Sequence, residues 1–332
     1  MADYKTIKGT KIQNYTTDPD NPLTGQVWYN ETDQVLKFST GPLVDAWATG
    51  GDLNTGRSST LGGVGIQTAA LAFGGNPAPL GETEKYNGTS WTEVNDMNTT
   101  RIQLAGAGTQ TAALAIGGRI FPSSPPINVQ SLTESWDGTS WTEVNDLNTA
   151  RRSLRGAGES NTSALAFGGT PGTPSPDTVT GETESWNGTS WTEVNDLNTA
   201  RQALAGAGTQ TAALAFGGLP SVPGTTAVTE LWNGTNWTEV NDLNTSRYEF
   251  VGAGTTTSAL SFGGAPSPTG ALTESWNGTS WTEVNDLNTG RSNLGGAGAN
   301  NTSALAFGGS AAPSAQTEEW GETGGNKTIT SS

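Results

Sequence analysis

The stretch TESWNGTSWTEVNDLNTAR, residues 183–201, decides the fold because the chain carries it five times with few changes. Its near-copies lie at 83–101, 133–151, 229–247 and 273–291. A second block of the type LAGAGTQTAALAFGG follows each copy, as at 204–218, and Trp47 with Arg57 marks a sixth unit. The tryptophan marker recurs every 44 to 50 residues, a period typical of repeat proteins in which neighbouring units stack.

Each unit predicts four short strands separated by turns. In the copy at 183–201, the dipeptide Asn187-Gly188 is a strong signal for a two-residue hairpin turn, since both turn positions need positive φ. Such a turn places Trp186 opposite Thr189, so that Trp186 and Trp191 become diagonal neighbours on one face of the sheet.

The other hairpin of the unit has a bulky face and a small face. Leu214 and Phe216 point to one side of their strand, and Ala213 and Ala215 point to the other. A bulky face against a small one suits sheets that converge towards an axis. Four strands per period of this length indicate one blade of a β-propeller.

The two ends of the repeat array complement each other. The last copy stops at 317–320, a third strand without a fourth, whereas 44–49 is a fourth strand without a matched third. We therefore expect an all-β fold: a six-bladed propeller over 41–321, closed by pairing of the N- and C-terminal strands. Residues 1–40 form an N-terminal arm with a hairpin, in which Val27–Tyr29 pairs with Val35–Phe38, and residues 322–332 form a C-terminal tail.

The composition excludes several classes of protein. The 332 residues include no Cys and no His, which excludes disulfides, thiolate nucleophiles, zinc fingers and a Ser-His-Asp triad. The net charge of −16 argues against a nucleic-acid face, which needs a basic surface. There is no run of 18 apolar residues and no apolar signal-peptide core near Met1, so we expect neither membrane insertion nor secretion.

The repeat resembles the kelch family. A double glycine after an apolar strand, a Trp-turn-Trp hairpin and an arginine before the next unit carry the resemblance, which covers about 41–321. Trp136 and Trp186 replace the tyrosine usual in kelch motifs. The array TSWTEVNDLNTAR, preceded by GQVWYNETDQVLKFSTG at 25–41, is also similar to segments of phage tail and fibre proteins. The resemblance implies a kelch-like propeller in a phage virion protein.

The repeated tryptophans have two interpretations. Exposed tryptophans stack on sugars, but a residue that recurs in every unit is more typical of the core between blades than of one ligand site. The set is Trp91, Trp136, Trp141, Trp186, Trp191, Trp232, Trp237, Trp276 and Trp281.

An arginine follows each tryptophan marker by ten residues. The six arginines form a ring, which could hold an anionic sugar, or each could pair with a glutamate of the TE or TEV sequences as a structural brace. We favour the brace, because bidentate arginine–carboxylate geometry suits a repeated structural contact. The residues are Arg57, Arg101, Arg151, Arg201, Arg247 and Arg291.

No motif in the sequence predicts a catalytic residue, a cofactor or a metal site. The segment 135–141, SWDGTSW, resembles the Asp box of sialidases but is one residue short, and its equivalents carry Asn in place of Asp137. The Asx-rich turn Asn195-Asp196-Leu197-Asn198 makes calcium conceivable, but there is no D-x-D-x-D-G loop and such turns need no metal.

Sequence variation concentrates between each Gly-Gly and the next Thr-Glu. These stretches are 76–82, 119–132, 170–182, 219–228, 265–272 and 310–316, and they hold 13 of the 16 prolines. In an up-and-down blade they all lie on one face, so a uniform scaffold carries one variable face, which is typical of a recognition surface. The alternative interpretation is that these loops have no binding role and that their sequences vary by drift. The candidate ligand-binding residues are Arg119, Ile120, Phe121, Ile127, Asp177, Pro220 and Pro266.

These observations lead to three hypotheses of function. The first is a non-enzymatic phage virion protein of the tail or fibre, which recognises a host-surface glycan or protein through the variable loops. It would assemble in the host cytoplasm and bind other virion proteins through the arm at 1–40. The second is a structural or decoration protein that binds another virion subunit. The third, a propeller-type glycan hydrolase, would need a catalytic constellation that the sequence lacks.

Overall fold

The chain divides into two compact units, one formed by 1–46 with 321–332 and the other by 47–320. The computed structural model describes residues 12–19, 23–39, 44–59, 61–76, 81–120, 128–171, 178–221, 224–266, 269–310, 315–323 and 326–328. In these ranges the structure is almost entirely β, with one short 3-10 helix at Thr269–Ala271.

The first unit is a four-stranded sheet in the order β1-β2-β3-β30. Its strands are β1 (Gln13–Tyr15), β2 (Val27–Asn30), β3 (Val35–Ser39) and β30 (Asn326–Thr328). The predicted hairpin between β2 and β3 is confirmed, and β1 pairs with β2 in parallel. The separate tail expected at 322–332 instead contributes β30, which pairs with β3, so the two chain ends share one sheet.

A single carboxylate organises the side chains of this sheet. Asp18 accepts hydrogen bonds from Trp28 Nε1, Asn30 Nδ2 and Lys37 Nζ. Burial opposes the charge of Asp18, but these three donors outweigh it and lower its pKa to about 2. The carboxylate therefore stays ionised at neutral pH and holds the segment before β2 against β2 and β3.

The second unit contains six antiparallel sheets of four strands, numbered I to VI. Sheet I is β5 (Gly62–Ile66), β6 (Ala69–Phe73), β7 (Thr83–Tyr86) and β8 (Trp91–Val94), and sheet II is β9 (Ala105–Gly108), β10 (Ala113–Ile116), β11 (Thr133–Trp136) and β12 (Trp141–Val144). Sheet III is β13 (Arg155–Ser160), β14 (Ser163–Phe167), β15 (Thr183–Trp186) and β16 (Trp191–Val194). Sheet IV is β18 (Ala205–Gly208), β19 (Ala213–Phe216), β21 (Thr229–Trp232) and β22 (Trp237–Val240).

Sheet V is β23 (Val251–Gly254), β24 (Ala259–Phe262), β25 (Thr273–Trp276) and β26 (Trp281–Val284). Sheet VI is β27 (Gly295–Asn300), β28 (Ser303–Phe307), β29 (Thr317–Thr323) and, as its fourth strand, β4 (Val44–Thr49). This is the pairing of chain ends that the sequence predicts. A two-stranded ladder, β17 (Arg201–Gln202) with β20 (Leu219–Pro220), lies outside these sheets.

The register of the Trp-turn-Trp hairpin differs from the prediction. Trp186 lies directly opposite Trp191, not Thr189, because the loop has four residues rather than two. Asn187 Oδ1 accepts hydrogen bonds from the backbone N–H groups of Thr189 and Ser190, both at 2.9 Å. This Asx turn, with Gly188 at φ 91°, includes Thr189 and Ser190 in the loop and shifts the pairing.

The bulky residues of one second strand pack against the small residues of the next second strand, as predicted, and also against its hairpin tryptophans. Leu214 and Phe216 of sheet IV lie against Ala259 and Trp281 of sheet V, and the ring centroids of Phe216 and Trp281 are 4.8 Å apart. The hairpin tryptophans are almost fully buried in these contacts, which supports the core interpretation over sugar stacking. Apolar burial of this kind supplies most of the stability of a stacked array.

The innermost strands contact one another in a closed cycle, from β5 through β9, β13, β18, β23 and β27 back to β5. These strands are rich in glycine because their backbones approach closely; a Cβ on Gly156 would lie 2.6 Å from the carbonyl oxygen of Gly106. Four-stranded antiparallel sheets arranged around an axis form a β-propeller.

Candidate functional site at the loop face

Two sets of connections meet at one end of the propeller. Successive strands run antiparallel, so the connection between the second and third strands of a sheet lies at the same end as the connection to the next sheet. Backbone bridges join the two sets: Ile102 pairs with Arg119, Arg152 with Thr170. We call this end the loop face, and the end that carries the hairpin turns the turn face.

The six repeated arginines pair with buried glutamates in the TE sequences of the third strands. Arg151 shows the pattern: Nη2 lies 2.8 Å from Glu184 Oε1, and Nη1 donates to the carbonyl oxygens of Glu182 and Gly168. Glu184 Oε2 in turn accepts from the backbone N–H and side chain of Asn148. The pairs are Arg57–Glu84, Arg101–Glu134, Arg151–Glu184, Arg201–Glu230, Arg247–Glu274 and Arg291–Glu318.

These guanidinium groups are at most 2% exposed, so they are inaccessible to an anionic sugar. Burial lowers the pKa of Arg101, Arg151, Arg201 and Arg291, and that of Arg247 to about 10, while the paired carboxylates oppose the shift. Each pair joins a connection to the third strand of the sheet that follows, which is the pairing with TE glutamates that the brace interpretation expects.

The described candidate loop residues lie at the loop face. Arg119 and Ile120 are partly buried, and Arg119 Nε donates to Gln103 Oε1 at 2.7 Å. Pro220 is partly buried in β20, and Pro266 is exposed. Phe121, Ile127 and Asp177 lie outside the described residues.

A rim of residues that is not among the predicted site residues surrounds the axis at this face. Each is the second residue after a repeated arginine, and each has left-handed backbone geometry, with φ between 52° and 68°. The rim residues are Ser59, Gln103, Ser153, Ala203, Glu249 and Asn293. Backbone hydrogen bonds of 2.8 to 3.1 Å link the rim residues in series. The N–H of Gln103 donates to the carbonyl oxygen of Ser59, and each later rim residue donates in the same way to the one before it, up to Asn293.

A signal in the sequence could have identified the rim. The two positions after each arginine differ from unit to unit, as in Arg201-Gln202-Ala203 and Arg247-Tyr248-Glu249, whereas the residues before the arginine hardly change. The backbone has the same conformation at the rim position of every unit, so this variation changes only the side chains that surround the axis.

The polar groups of the rim are unevenly distributed. Arg119 and Arg152 both donate to Gln103 Oε1, and burial together with the charge of Arg152 lowers the pKa of Arg119. Elsewhere on the rim, Asn293 Nδ2 donates to Glu249 Oε2 at 2.6 Å, and burial raises the pKa of Glu249. The rim thus offers a cationic sector and an acidic sector around one axis.

Below the rim, the inner strands enclose a narrow axial channel. The part nearer the rim has a volume of about 40 Å³, and the part nearer the turn face, which opens to solvent, has a volume of about 100 Å³. Glycine, alanine and valine line the part nearer the turn face. In the described ranges, no group of three or more acidic residues is arranged to hold a metal ion, and no helix is long and apolar enough to cross a membrane.

Comparison with known proteins supports the fold. No protein-family profile matches the sequence, and no curated protein matches it. Among solved structures, the chain is similar to the structure of YjhT, with a TM-score of 0.68 at 12% sequence identity, over 84% of this chain and 100% of that chain. At this identity the similarity shows the β-propeller fold alone.

Proposed function

We propose that this protein is a non-enzymatic recognition protein of a phage virion, associated with the tail or fibre, which binds a host-surface glycan or protein through its loop face. The observation that carries the proposal is the distribution of variation over the repeat. The variable connections and the variable residues after each arginine converge on one face, whereas the turn face repeats Asn-Gly-Thr-Ser or close variants of it.

A recognition surface requires a rigid support, and the brace provides one. Each connection between sheets is held by a buried arginine–glutamate pair and by asparagine contacts to the same carboxylate, as at Asn148 and Glu184. Backbone bridges such as Arg152–Thr170 join these connections to the variable stretches. Rigid connections lose little conformational entropy on binding, which favours affinity. The prolines of the variable stretches also restrict the backbone before binding, which reduces the conformational entropy lost on binding.

The architecture we propose is a six-bladed, kelch-like propeller in which sheets I to VI are the blades. The closed cycle of inner strands supports this number, because each of the six four-stranded sheets contributes one strand to it. The Gly-Gly, Trp-turn-Trp and arginine pattern supports the kelch relationship.

We further propose that the arm binds a neighbouring virion subunit. In the sheet order, β1 is an edge strand that pairs with β2 alone, and such an edge accepts an added strand from a partner. Deleting residues 2–15 removes β1 and leaves Asp18 and the β2–β3 hairpin in place. We expect a folded propeller that no longer incorporates into particles, and normal incorporation would contradict the anchor.

The loop face is tested by binding of the purified full chain to a glycan array and to bacterial cells. In the test variant, 119–132 and 170–182 are each replaced by the shorter 265–272 sequence. The control variant carries Thr189→Ala and Thr279→Ala, at exposed positions of the turn face. We expect all three proteins to melt at similar temperatures and only the loop variant to lose binding.

Two outcomes contradict the proposal. Undiminished binding by the loop variant would indicate that these loops drift without function. Failure of the wild type to bind cells or glycans, together with binding to purified virion subunits, would favour the structural or decoration role.

A further inference from the structure

One charged side chain lines the axial channel in the described part of the chain. It is Arg155, the first residue of β13, in the part of the channel nearer the rim. The equivalent positions in the other sheets are Gly62, Ala105, Ala205, Val251 and Gly295. The repeat therefore folds without an arginine here, and the brace does not account for Arg155.

The guanidinium of Arg155 contacts the connections that lead into the next two sheets of the cycle. Nε donates to the carbonyl oxygen of Leu204, just before sheet IV, and Nη2 donates to that of Phe250, just before sheet V, both at 2.6 Å. These bonds occupy the Nε–Nη2 edge of the planar group. Its other edge, formed by Nη1 and the second hydrogen of Nη2, has no acceptor among the described residues.

The charge of Arg155 also lacks a carboxylate partner. No described Asp or Glu lies within 4.0 Å of its nitrogens, in contrast to Arg151 and its five equivalents. Burial lowers the pKa of Arg155 to about 10, so the group is still protonated at neutral pH. Arg155 is partly buried, and a cation that is partly removed from water without a counter-charge favours a bound anion.

The free edge and the space around it define the size and shape of that anion. Two parallel N–H donors match a carboxylate, which accepts both in one plane. A cavity of about 10–15 Å³ holds one water molecule. The 40 Å³ beside Arg155 therefore has room for an anion of the size of formate or acetate.

We propose that the axial channel is an anion-binding site in which the free edge of Arg155 binds a carboxylate. The site is separate from the variable loops and does not depend on the proposed host recognition. Its ligand is either a small free acid inside the channel or a carboxylate that a larger molecule, such as an acidic sugar, inserts from the rim.

The test compares the wild type with Arg155→Ala, which places in sheet III the residue that sheets II and IV carry at Ala105 and Ala205. The melting temperature of the full chain is measured against increasing formate, acetate and glucuronate at constant ionic strength. Lys85→Ser is the control, because it removes a positive charge from β7, a third strand that does not line the axial channel. We expect the carboxylates to raise the melting temperature of the wild type and of the control, and to have no such effect on Arg155→Ala.

A second measurement uses the wild type alone, so the proposal stays testable if Arg155→Ala fails to fold. Crystals soaked in bromide should show anomalous density beside Nη1 and Nη2. A response to glucuronate as well as to acetate assigns the site to a carboxylate carried by a larger molecule, and a response to formate and acetate alone assigns it to a free acid. Equal responses of wild type and Arg155→Ala, or an axis without bromide, would overturn the proposal.

Discussion

At the scale of single residues, the arginine–glutamate brace is the most consequential feature of the propeller. Arg151 has four oxygen contacts, from Glu184, Glu182 and Gly168, and it is fully buried. Each glutamate also accepts hydrogen bonds from the connection that precedes the arginine. Removing the guanidinium therefore leaves a buried carboxylate whose main counter-charge is lost.

We predict that Arg151→Ala lowers the free energy of unfolding by about 3–5 kcal/mol, the usual cost of breaking a buried pair by removing one partner. Chemical denaturation in urea measures the change. The control is Lys85→Ser, which also removes a positive charge but installs the residue found at Ser135, Ser185 and Ser275 in the equivalent strands. A loss under 1 kcal/mol, no larger than that of a surface pair, would contradict the role of Arg151 as a brace.

The sequence predicts the brace well and the rim poorly, for physical reasons. A buried arginine must find a carboxylate, and the repeat offers a TE glutamate at a constant place in every unit, so pairing such as Arg101–Glu134 follows from chemistry. The rim depends on left-handed φ at Gln103 and Glu249, and neither residue type signals that conformation. The free edge of Arg155 depends on which carbonyls its other edge meets, which no local pattern encodes.

At the scale of elements, the hairpin turn sets the relation between the paired tryptophans. The Asx turn at Asn187 moves Trp186 from a diagonal to a direct position opposite Trp191, where the ring centroids lie 5.3 Å apart. The sequence rule for Asn-Gly turns considers only φ at the two turn positions and omits the side-chain oxygen of the asparagine as an acceptor. The rule therefore predicts the strands and the turn correctly but gives the wrong register.

We predict that Asn187→Ala destabilises the protein by about 1 kcal/mol, because the backbone N–H groups of Thr189 and Ser190 lose their acceptor. Asn187→Asp should be nearly neutral, since Asp137 makes the same two contacts at 2.8 Å in sheet II. Thermal unfolding of the two variants beside the wild type measures both effects. Equal losses in the two variants would exclude the acceptor as the source of the stability.

At the scale of the whole propeller unit, the fourth strand of sheet VI has the same environment as its counterparts although it comes from the other end of the chain. Trp47 Nε1 donates to Thr273 Oγ1 at 3.0 Å, and its ring lies 4.9 Å from that of Phe262. Trp237 in sheet IV repeats both contacts, with Thr183 and Phe167. The two tryptophans are equally buried.

We predict that Trp47→Ala and Trp237→Ala destabilise the protein to the same extent, by about 3–5 kcal/mol each, since both leave a cavity between two sheets. Urea unfolding of the two variants, monitored by circular dichroism, tests the equality. A normal midpoint for Trp47→Ala beside a lowered one for Trp237→Ala would mean that β4 does not complete sheet VI.

The rim has a consequence for how such a propeller diversifies. Its hydrogen bonds run between backbone groups, so the side chains of Ser59, Gln103, Ser153, Ala203, Glu249 and Asn293 take no part in these contacts. The left-handed geometry disfavours β-branched residues, and proline has no N–H to donate; none of the six is of either kind. Evolution can therefore substitute one rim side chain at a time and change the polarity and charge around the axis. Proline and β-branched residues are disfavoured at these positions, and the backbone hydrogen bonds between neighbouring connections are kept.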